Sequence, residues 1–256
     1  DMEEKKLLGN GFTGNQLKIF AIIAMTIDHL TSVILPGYDR TWWIVLLHII
    51  GRLAAPIMWF MIVEGYRHTR DLKKYITRLF VFSFIAHFAY NFCFGIPFIP
   101  LQTSILNQTS VIWPLAWGVV ALYINDKEKC NLKQWQRILI MLGICAITFP
   151  SDWSCIAVLC IVAINQNYGN LKKQTLEMLI YVSFYAIVYA ICVDVVYGVI
   201  QMLVVICVPF MMNYNGKRGI WKGMKWFFYV YYVGHLVVCG IIRILLHGDV
   251  GVIIGG

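Results

Sequence analysis

Long apolar runs alternate with short polar segments along almost the whole chain, from residue 15 to residue 246. Within each run the apolar residues are continuous, which is typical of membrane helices and excludes a transmembrane β-barrel. At about 20 residues for each crossing, the pattern predicts nine spans. The spans cover residues 15–35, 43–65, 76–94, 109–124, 137–149, 153–165, 175–193, 195–212 and 226–246. The fifth and sixth are short, and two short helices can tilt or re-enter instead of crossing.

Composition supports an all-α, polytopic membrane protein that forms a single domain over residues 1–256. The chain is 60% hydrophobic and only 13% charged, which is about half the charged share of a soluble domain. Of the eight cysteines, only Cys130 lies in a polar loop, and no Cys or His spacing matches a metal site. The cysteines are therefore predicted to pack as small apolar residues, with no bound metal.

Lysine and arginine residues concentrate in the amino-terminal segment and in every second loop. These cations are Lys5, Lys6, Lys18, Arg67, Arg70, Lys73, Lys74, Arg78, Lys127, Lys129, Lys133, Arg137, Lys172, Lys173, Lys217, Arg218, Lys222 and Lys225. The intervening loops carry only Arg40. Because cytoplasmic loops are enriched in these residues, the amino terminus is predicted to be cytoplasmic. The net charge of +8 thus indicates topology rather than a nucleic-acid-binding surface.

Four ionisable residues, Asp28, His29, His48 and Arg52, lie away from the cytoplasmic ends of the first two spans, where charged groups are costly and usually functional. Asp28 and His29 are adjacent, so their side chains point about 100° apart and each needs a partner from another helix. His48 and Arg52 are four residues apart and share one helix face. Arg52 is the natural counter-ion for Asp28. This pairing is compatible with a purely structural role as well as with a catalytic one.

Glu64 marks the other end of the second span, about 18 Å beyond Arg52 along a helix. It is spaced to pair with His68, and a dense basic cluster begins at Arg67. A salt bridge between Glu64 and the following loop is the plain structural interpretation. The cluster also suits an anionic, phosphate-bearing ligand.

Further polar residues lie in later spans, with His87 and Asn91 one helical turn apart in the third and His235 in the ninth. Three acidic residues fall at span boundaries, where solvation accounts for them: Asp152, Asp194 and Asp249. A single buried histidine is usually a hydrogen-bonded core residue. Four of the six histidines at membrane depth together indicate a polar cavity. Histidine suits general-base chemistry near neutral pH, and a carboxylate can orient it.

These features predict group transfer across the membrane, from a phosphorylated donor at the cytoplasmic end to an acceptor on the outer side. Two other interpretations stay open. A transporter or permease for a small anion would also bury charges near mid-membrane. An assembly scaffold would use the buried charges only to hold helices together.

Several segments resemble the TraX family. The segment LKIFAIIAMTIDHLTSVIL at 17–35 resembles the opening helix of these proteins, with its IDH signature. Their most distinctive segment is similar to IGRLAAPIMWFMIVEGYRHTRDLKKYITRLFVFSFIA at 50–86. MNYNGKRG at 212–219 and KWFFYVYYVGHL at 225–236 resemble their carboxy-terminal motifs. The matches occur in the right order over nearly the whole chain.

The resemblance implies a multi-pass acetyltransferase of the bacterial cytoplasmic membrane, in a family named for acetylating the pilin amino terminus. A wider class of related acyltransferases takes the acetyl group from cytosolic acetyl-CoA. By this analogy His29 is the leading catalytic residue, with Asp28 and Arg52 as its motif neighbours and His48 as the second candidate base. The expected acceptor is an amine or hydroxyl of a peptide or sugar.

Binding roles follow from this assignment as hypotheses. The residues expected to hold the CoA donor are Glu64, Arg67, His68, Arg70, Lys73, Lys217 and Arg218. The residues expected to face the acceptor are His87, Asn91 and His235.

Overall fold

Helices form nearly all of the regular structure in residues 11–251, the part of the chain that this computed structural model describes. The α-helices are α1 (Gly14–Ile34), α2 (Trp42–Gly51), α3 (Ala54–His68), α4 (Leu72–Phe94), α5 (Ile112–Asn125), α6 (Gln134–Thr148), α7 (Ile156–Gln166), α8 (Leu171–Cys192), α9 (Val195–Gln201), α10 (Val208–Met212) and α11 (Met224–His247). A 3-10 helix, Met202–Cys207, joins α9 to α10. The all-α prediction is confirmed for these residues.

Polar capping residues begin several helices where the apolar runs begin. Thr13 and Gln16 form a reciprocal capping box at the start of α1. Asp71 accepts a hydrogen bond from the Lys74 N–H at the start of α4, at 2.9 Å. At the other end of α4, Gly95 adopts a left-handed conformation with φ of 66°, which glycine tolerates best. The predicted spans therefore agree with most helix bounds to within a few residues.

The predicted second span is broken in the structure. α2 ends at Gly51 and α3 begins at Ala54, with Arg52 in the turn between them. Pro56 lies in the first turn of α3, where its missing N–H costs little, whereas inside a continuous helix it would remove a hydrogen bond and clash with the preceding turn. The break therefore follows from the proline that lies one turn beyond it.

Contacts between distant segments define one end of the helical bundle, here called the basic end. The Gly14 N–H donates to the Lys217 carbonyl at 2.8 Å, so α1 begins beside the loop that precedes α11. Nearby, the Tyr66 hydroxyl donates to Asp126 at 2.9 Å, and Arg67 Nε donates to Asn165 Oδ1, also at 2.9 Å. The cationic segments that the sequence groups on one side of the membrane thus lie at one end.

The opposite end is held by its own contacts. Arg40, in the loop after α1, forms an ion pair with Asp194 at 2.8 Å. The Asp152 N–H donates to the Thr109 carbonyl at 2.9 Å, which joins the α6–α7 loop to the segment before α5. Successive apolar segments therefore run alternately between the two ends.

Length and exposure identify a multi-pass membrane protein. Within residues 11–251, six apolar helical segments are long enough to span a bilayer, and Trp42–His68 counts as one of them despite its break. The other three predicted spans correspond to the shorter helices α5, α6 and α7. Large apolar side chains such as Phe84, Leu142 and Ile191 lie exposed on the outside of the bundle. This surface suits lipid contact, since soluble monomers rarely expose large apolar patches.

All eight cysteines are free, and four of them are fully buried. The prediction that they do not form a disulfide framework is confirmed. Within the described part of the chain, no group of three or more His, Cys, Asp or Glu residues is arranged to hold a metal ion.

Candidate active site

A buried ion pair links the first two predicted spans. Arg52 Nη2 donates to Asp28 Oδ2 at 2.6 Å, and His48 Nδ1 lies 2.8 Å from Asp28 Oδ1. Arg52 also donates from Nη1 to Gln201 Oε1 at 2.9 Å and from Nε to the His48 carbonyl at 3.3 Å. The pairing of Asp28 with Arg52 predicted from the sequence is confirmed. A paired, hydrogen-bonded carboxylate is the form in which charge is tolerated at this depth.

The turn between α2 and α3 positions Arg52 for this contact. Gly51 packs so closely on α1 that an added Cβ would lie 2.5 Å from Asp28 Cγ. Glycine is therefore required for α2 to approach the carboxylate. Trp153 packs 5.4 Å from the Arg52 guanidinium, close enough for a cation–π contact.

His29 points to a different partner from its neighbour Asp28. Its Nδ1 lies 2.9 Å from His235 Nε2, and the two rings lie edge to edge and nearly parallel, with centroids 5.1 Å apart. On its other side, His235 Nδ1 lies 3.1 Å from the Tyr231 carbonyl. The separate partners agree with the prediction that adjacent residues on one helix serve different contacts.

This chain of contacts sets the proton positions on both rings. A carbonyl can only accept, so His235 Nδ1 carries the proton that it shares with Tyr231. In neutral His235 the Nε2 is then the acceptor, and His29 Nδ1 must donate to it. His29 Nε2 is left with its lone pair and has no hydrogen bond among the described residues. His29 is thereby held as a neutral base.

A small cavity of about 50 Å³, here called the central cavity, adjoins these groups. His29, Asp28 and Arg52 line it together with Asp152 and Tyr90. The volume suits a group of a few atoms rather than a whole cofactor.

The prediction that Asp152 is simply solvated at a span boundary is wrong. Its side chain lines the central cavity. The α6–α7 loop turns sharply through Trp153 and Ser154, both with positive φ, and brings Asp152 to the central cavity. Burial raises the pKa of the Asp152 carboxyl to about 7, and the Asp28 charge adds to this effect while Arg52 opposes it. Its protonation therefore changes near neutral pH.

A larger cavity of about 830 Å³ opens at the basic end, and we call it the basic cavity. Its cationic lining residues are Lys18, Arg70, Arg78, Arg218 and Lys225. The volume is within the range of sites for small molecules and cofactors. Five cations from separate segments are a lining whose charge complements an anionic group.

Glu64 lies in the wall of the basic cavity and is almost fully buried. Its carboxylate accepts hydrogen bonds from the hydroxyls of Tyr168, at 2.6 Å, and Tyr214, at 3.0 Å. His68 Nε2 lies 3.5 Å away, which confirms the predicted pairing of Glu64 with His68. These contacts tie three segments together, so the geometry gives Glu64 a bracing role.

The predicted donor-binding residues divide into two groups in the structure. Those that line the basic cavity are Glu64, His68, Arg70 and Arg218. Arg67 instead packs over the Tyr168 ring, with 3.7 Å between its guanidinium carbon and the ring centroid. Lys73 and Lys217 are exposed at the basic end and are not among the lining residues.

None of the three predicted acceptor residues lines the central cavity. His87 contacts the Thr109 hydroxyl at 2.9 Å and the Phe98 carbonyl at 2.8 Å. Asn91 donates to the Pro97 carbonyl at 2.7 Å. Both residues thus anchor the long α4–α5 loop. His235 does belong to the site, but through its contact with His29.

The two cavities adjoin each other. Met58, Ile112, Leu115 and Phe228 line both of them, so these apolar side chains lie between the two cavities. The basic cavity and the cavity lined by His29 are therefore neighbours in the bundle.

Several site residues were not assigned by sequence reasoning. Lys18 and Lys225 are indicators of topology in the sequence, yet they line the basic cavity together with Arg78, a member of the basic cluster that begins at Arg67. Gln201 carried an available signal, because it is a polar side chain inside an apolar run and is fully buried in the structure. Tyr90 carried none, since tyrosines occur throughout these helices.

Comparison with known proteins adds an independent observation. The sequence profile of the family described as TraX protein matches residues 13–243. The probable fimbrial assembly protein FimC, serogroup H1, of Dichelobacter nodosus is 28% identical over 236 residues, which cover 89% of this chain and 94% of that protein. No solved structure matches the chain.

Proposed function

This chain belongs to the TraX family, and from that premise we propose that it is an integral membrane acetyltransferase. It moves an acetyl group from cytosolic acetyl-CoA to an amine or hydroxyl acceptor, which is a peptide amino terminus or a sugar reached from the outer face. The observation that carries this proposal is the His29 Nε2 lone pair at the central cavity, next to the cationic basic cavity.

The basic cavity supports the donor half of the proposal. CoA carries several phosphate charges, and Arg70, Arg78 and Arg218 offer the multiple donors that phosphate oxygens accept. Met58 and Phe228 line both cavities, and in the proposed reaction these side chains move aside so that the thioester of the bound donor reaches the central cavity. Along α3, the rise from Ala54, two residues after Arg52, to Glu64 at the basic cavity is about 15 Å.

In the proposed reaction, His29 Nε2 removes a proton from the acceptor N–H or O–H as the acceptor attacks the thioester carbonyl carbon. A new N–C or O–C bond forms and the C–S bond breaks. The proton on His29 then passes to the departing thiolate, so the products are the acetylated acceptor and free CoA. His235 holds the His29 ring in the basic tautomer through the 2.9 Å contact.

We further propose that nine segments cross the cytoplasmic membrane of the cell, with the amino terminus and the basic end inside. The positive-inside rule supports this orientation, because the cationic segments share one end. Under this arrangement the donor enters from the cytoplasm, and the acceptor reaches His29 from the outer side.

The name of the Dichelobacter nodosus relative supports a second candidate, a role in fimbrial assembly. The two candidate functions are compatible if the acceptor is a peptide. Acetylation of the amino terminus of a fimbrial subunit would then be one step in fimbrial assembly. A scaffold without catalysis would give the buried ions only a packing role.

The proposal is tested in proteoliposomes loaded with labelled acetyl-CoA, with a short peptide bearing a free amino terminus and with glucosamine outside. Wild-type protein is expected to label one acceptor. His29→Ala is expected to lower the rate by about 100-fold or more, since general bases contribute that much. His247→Ala is the matched control, because within residues 11–251 the hydrogen bond of His247 is to the Val33 carbonyl, at 3.0 Å, and His247 does not line the central cavity.

Two results would overturn the proposal. Absence of transfer by well-folded wild-type protein with every acceptor would favour the scaffold. Full transfer in both His29→Ala and His48→Ala would remove the catalytic assignment. Saturable uptake of a small anion without transfer would instead indicate a permease.

A further inference from the structure

The central cavity needs a hydrogen-bond donor for the carbonyl oxygen, because negative charge develops there as the thioester is attacked. Arg52 is the expected donor from the sequence. In the structure its guanidinium is already bound to Asp28, Gln201 and the His48 carbonyl. Aiming Arg52 at a new oxyanion would require breaking a buried ion pair, which is costly. Another group is needed.

Tyr90 meets the requirement. It lies on α4, is 1% exposed and lines the central cavity together with His29. Its hydroxyl is buried and has no hydrogen-bond partner among residues 11–251. Buried tyrosine hydroxyls are nearly always paired, so an orphan at a cavity points to a ligand as the partner.

Packing keeps Tyr90 in register with the base. The Phe94 ring lies edge-on to Tyr90, with centroids 4.9 Å apart, and edge-on to His29, at 5.5 Å. One aromatic ring therefore separates the two groups and fixes both. The base and the orphan hydroxyl lie on one cavity with their relative positions set by the core.

We propose that the Tyr90 hydroxyl donates a hydrogen bond to the carbonyl oxygen of the acyl thioester and to the oxyanion that replaces it during transfer. The hydroxyl keeps its proton throughout, so the bonds made and broken are those of the transfer itself. The inference rests on the proposed acetyltransferase function and adds a catalytic residue to it.

Tyr232 provides the matched control. It lines the same cavity and is equally buried. Its hydroxyl also has no hydrogen bond among residues 11–251, but it lies beside Ser110 and the backbone of Val111, which offer it polar partners within the fold. Tyr90→Phe and Tyr232→Phe thus remove the same atom from two sides of one cavity.

Steady-state transfer is measured for both variants in proteoliposomes. Tyr90→Phe is expected to lower kcat by about 100-fold, the effect of losing one such donor, with the KM for acetyl-CoA nearly unchanged. Tyr232→Phe is expected to stay within about threefold of wild type, since no donor to the carbonyl is lost. The apo melting temperature of Tyr90→Phe is expected to be no lower than wild type, because removing an unpaired buried hydroxyl leaves no partner unsatisfied.

A second measurement requires binding but no turnover. In the His29→Ala background, the infrared stretch of a ¹³C-labelled acetyl carbonyl in bound acetyl-CoA is recorded with Tyr90 and with Tyr90→Phe. A hydrogen bond lowers this frequency, so removing the hydroxyl is expected to shift it upwards. An unchanged frequency, or a kcat within threefold of wild type, would overturn the assignment of Tyr90. Absence of acetyl-CoA binding by either protein would overturn the proposed function as well.

Discussion

Asp28 and His29 are neighbours in the chain, yet each belongs to its own contact network. Asp28 balances Arg52 and His48, whereas His29 contacts His235 through a ring nitrogen and lines the central cavity. The separation lets the charged pair hold two helices together while the neutral ring keeps a free lone pair. The ion pair of Asp28 and the neutral imidazole of His29 thus use separate partners, although the two residues are adjacent in the chain.

Asp152 gives a pH dependence whose sign follows from its pKa of about 7, above the ordinary value of 3.8. Between these values the folded protein holds a proton that the unfolded chain has released. Stability is therefore expected to fall as pH rises from about 4 to 7. Asp152→Asn is expected to flatten that slope, as measured by thermal unfolding in detergent across this range.

Asp194→Asn is the control with the opposite sign. The Arg40 contact holds the pKa of Asp194 below its ordinary value, so its contribution is present above that value and is lost as pH falls. Asp194→Asn should therefore leave the slope between pH 5 and 7 unchanged. An identical pH profile for Asp152→Asn and wild type would contradict the assignment of Asp152.

At the scale of helices, the break between α2 and α3 does the positioning. Arg52 lies in the non-helical turn between α2 and α3 rather than within a continuous helix. At the same place Gly51 packs directly against Asp28. The close contact and the proline in the first turn of α3 act together. The interruption of an apolar run is thus part of the site.

Gly51→Ala tests this geometry. A methyl group there would meet the Asp28 carboxylate at 2.5 Å, so the helices must separate and the 2.6 Å ion pair must lengthen. The free energy of unfolding is expected to fall by about 1–3 kcal/mol, as for other overpacked sites. Urea or thermal unfolding in detergent measures the change.

Gly143→Ala is the matched control within an exposed helix. No atom lies within 4 Å of a Cβ added at Gly143, and the residue is inside α6. Alanine there is expected to raise stability by about 0.5–1 kcal/mol through helix propensity. Equal effects of the two substitutions would show that the contact with Asp28 does not matter.

At the scale of the whole molecule, segments far apart in the chain assemble one cationic cavity. Lys18 comes from α1, Arg70 and Arg78 from the start of α4 and its preceding loop, and Arg218 and Lys225 from the region around the start of α11. The charge pattern that sets topology also supplies this site. The same cations therefore indicate the membrane orientation and line the basic cavity.

Replacing Arg70, Arg218 and Lys225 together by glutamine is expected to weaken binding of acetyl-CoA by about 30-fold or more, since the loss of even one charge-assisted hydrogen bond costs about 1.5–3 kcal/mol. The control replaces Lys73, Lys172 and Lys217 by glutamine. These substitutions remove the same charge from exposed positions at the basic end. Isothermal titration in detergent measures both. Equal losses in the two variants would indicate general electrostatic attraction rather than a cavity.

Much of the architecture follows from the sequence alone. Apolar runs of membrane length, capping residues and the grouping of cations predict the helices and their alternation, because these depend on local composition. The pairing of Asp28 with Arg52 was also predictable, since a buried charge requires a partner and few were available. The same reasoning placed His29 apart from Asp28.

Only the tertiary structure decided which polar residues share a cavity. His87 and Asn91 looked like His235 in sequence, yet they anchor a loop, while His235 fixes the tautomer of His29. Tyr90 and Asp152 reach the central cavity because of helix packing and a sharp turn. Periodicity records which face of a helix is apolar, but the partner of that face is set by contacts between residues distant in the chain.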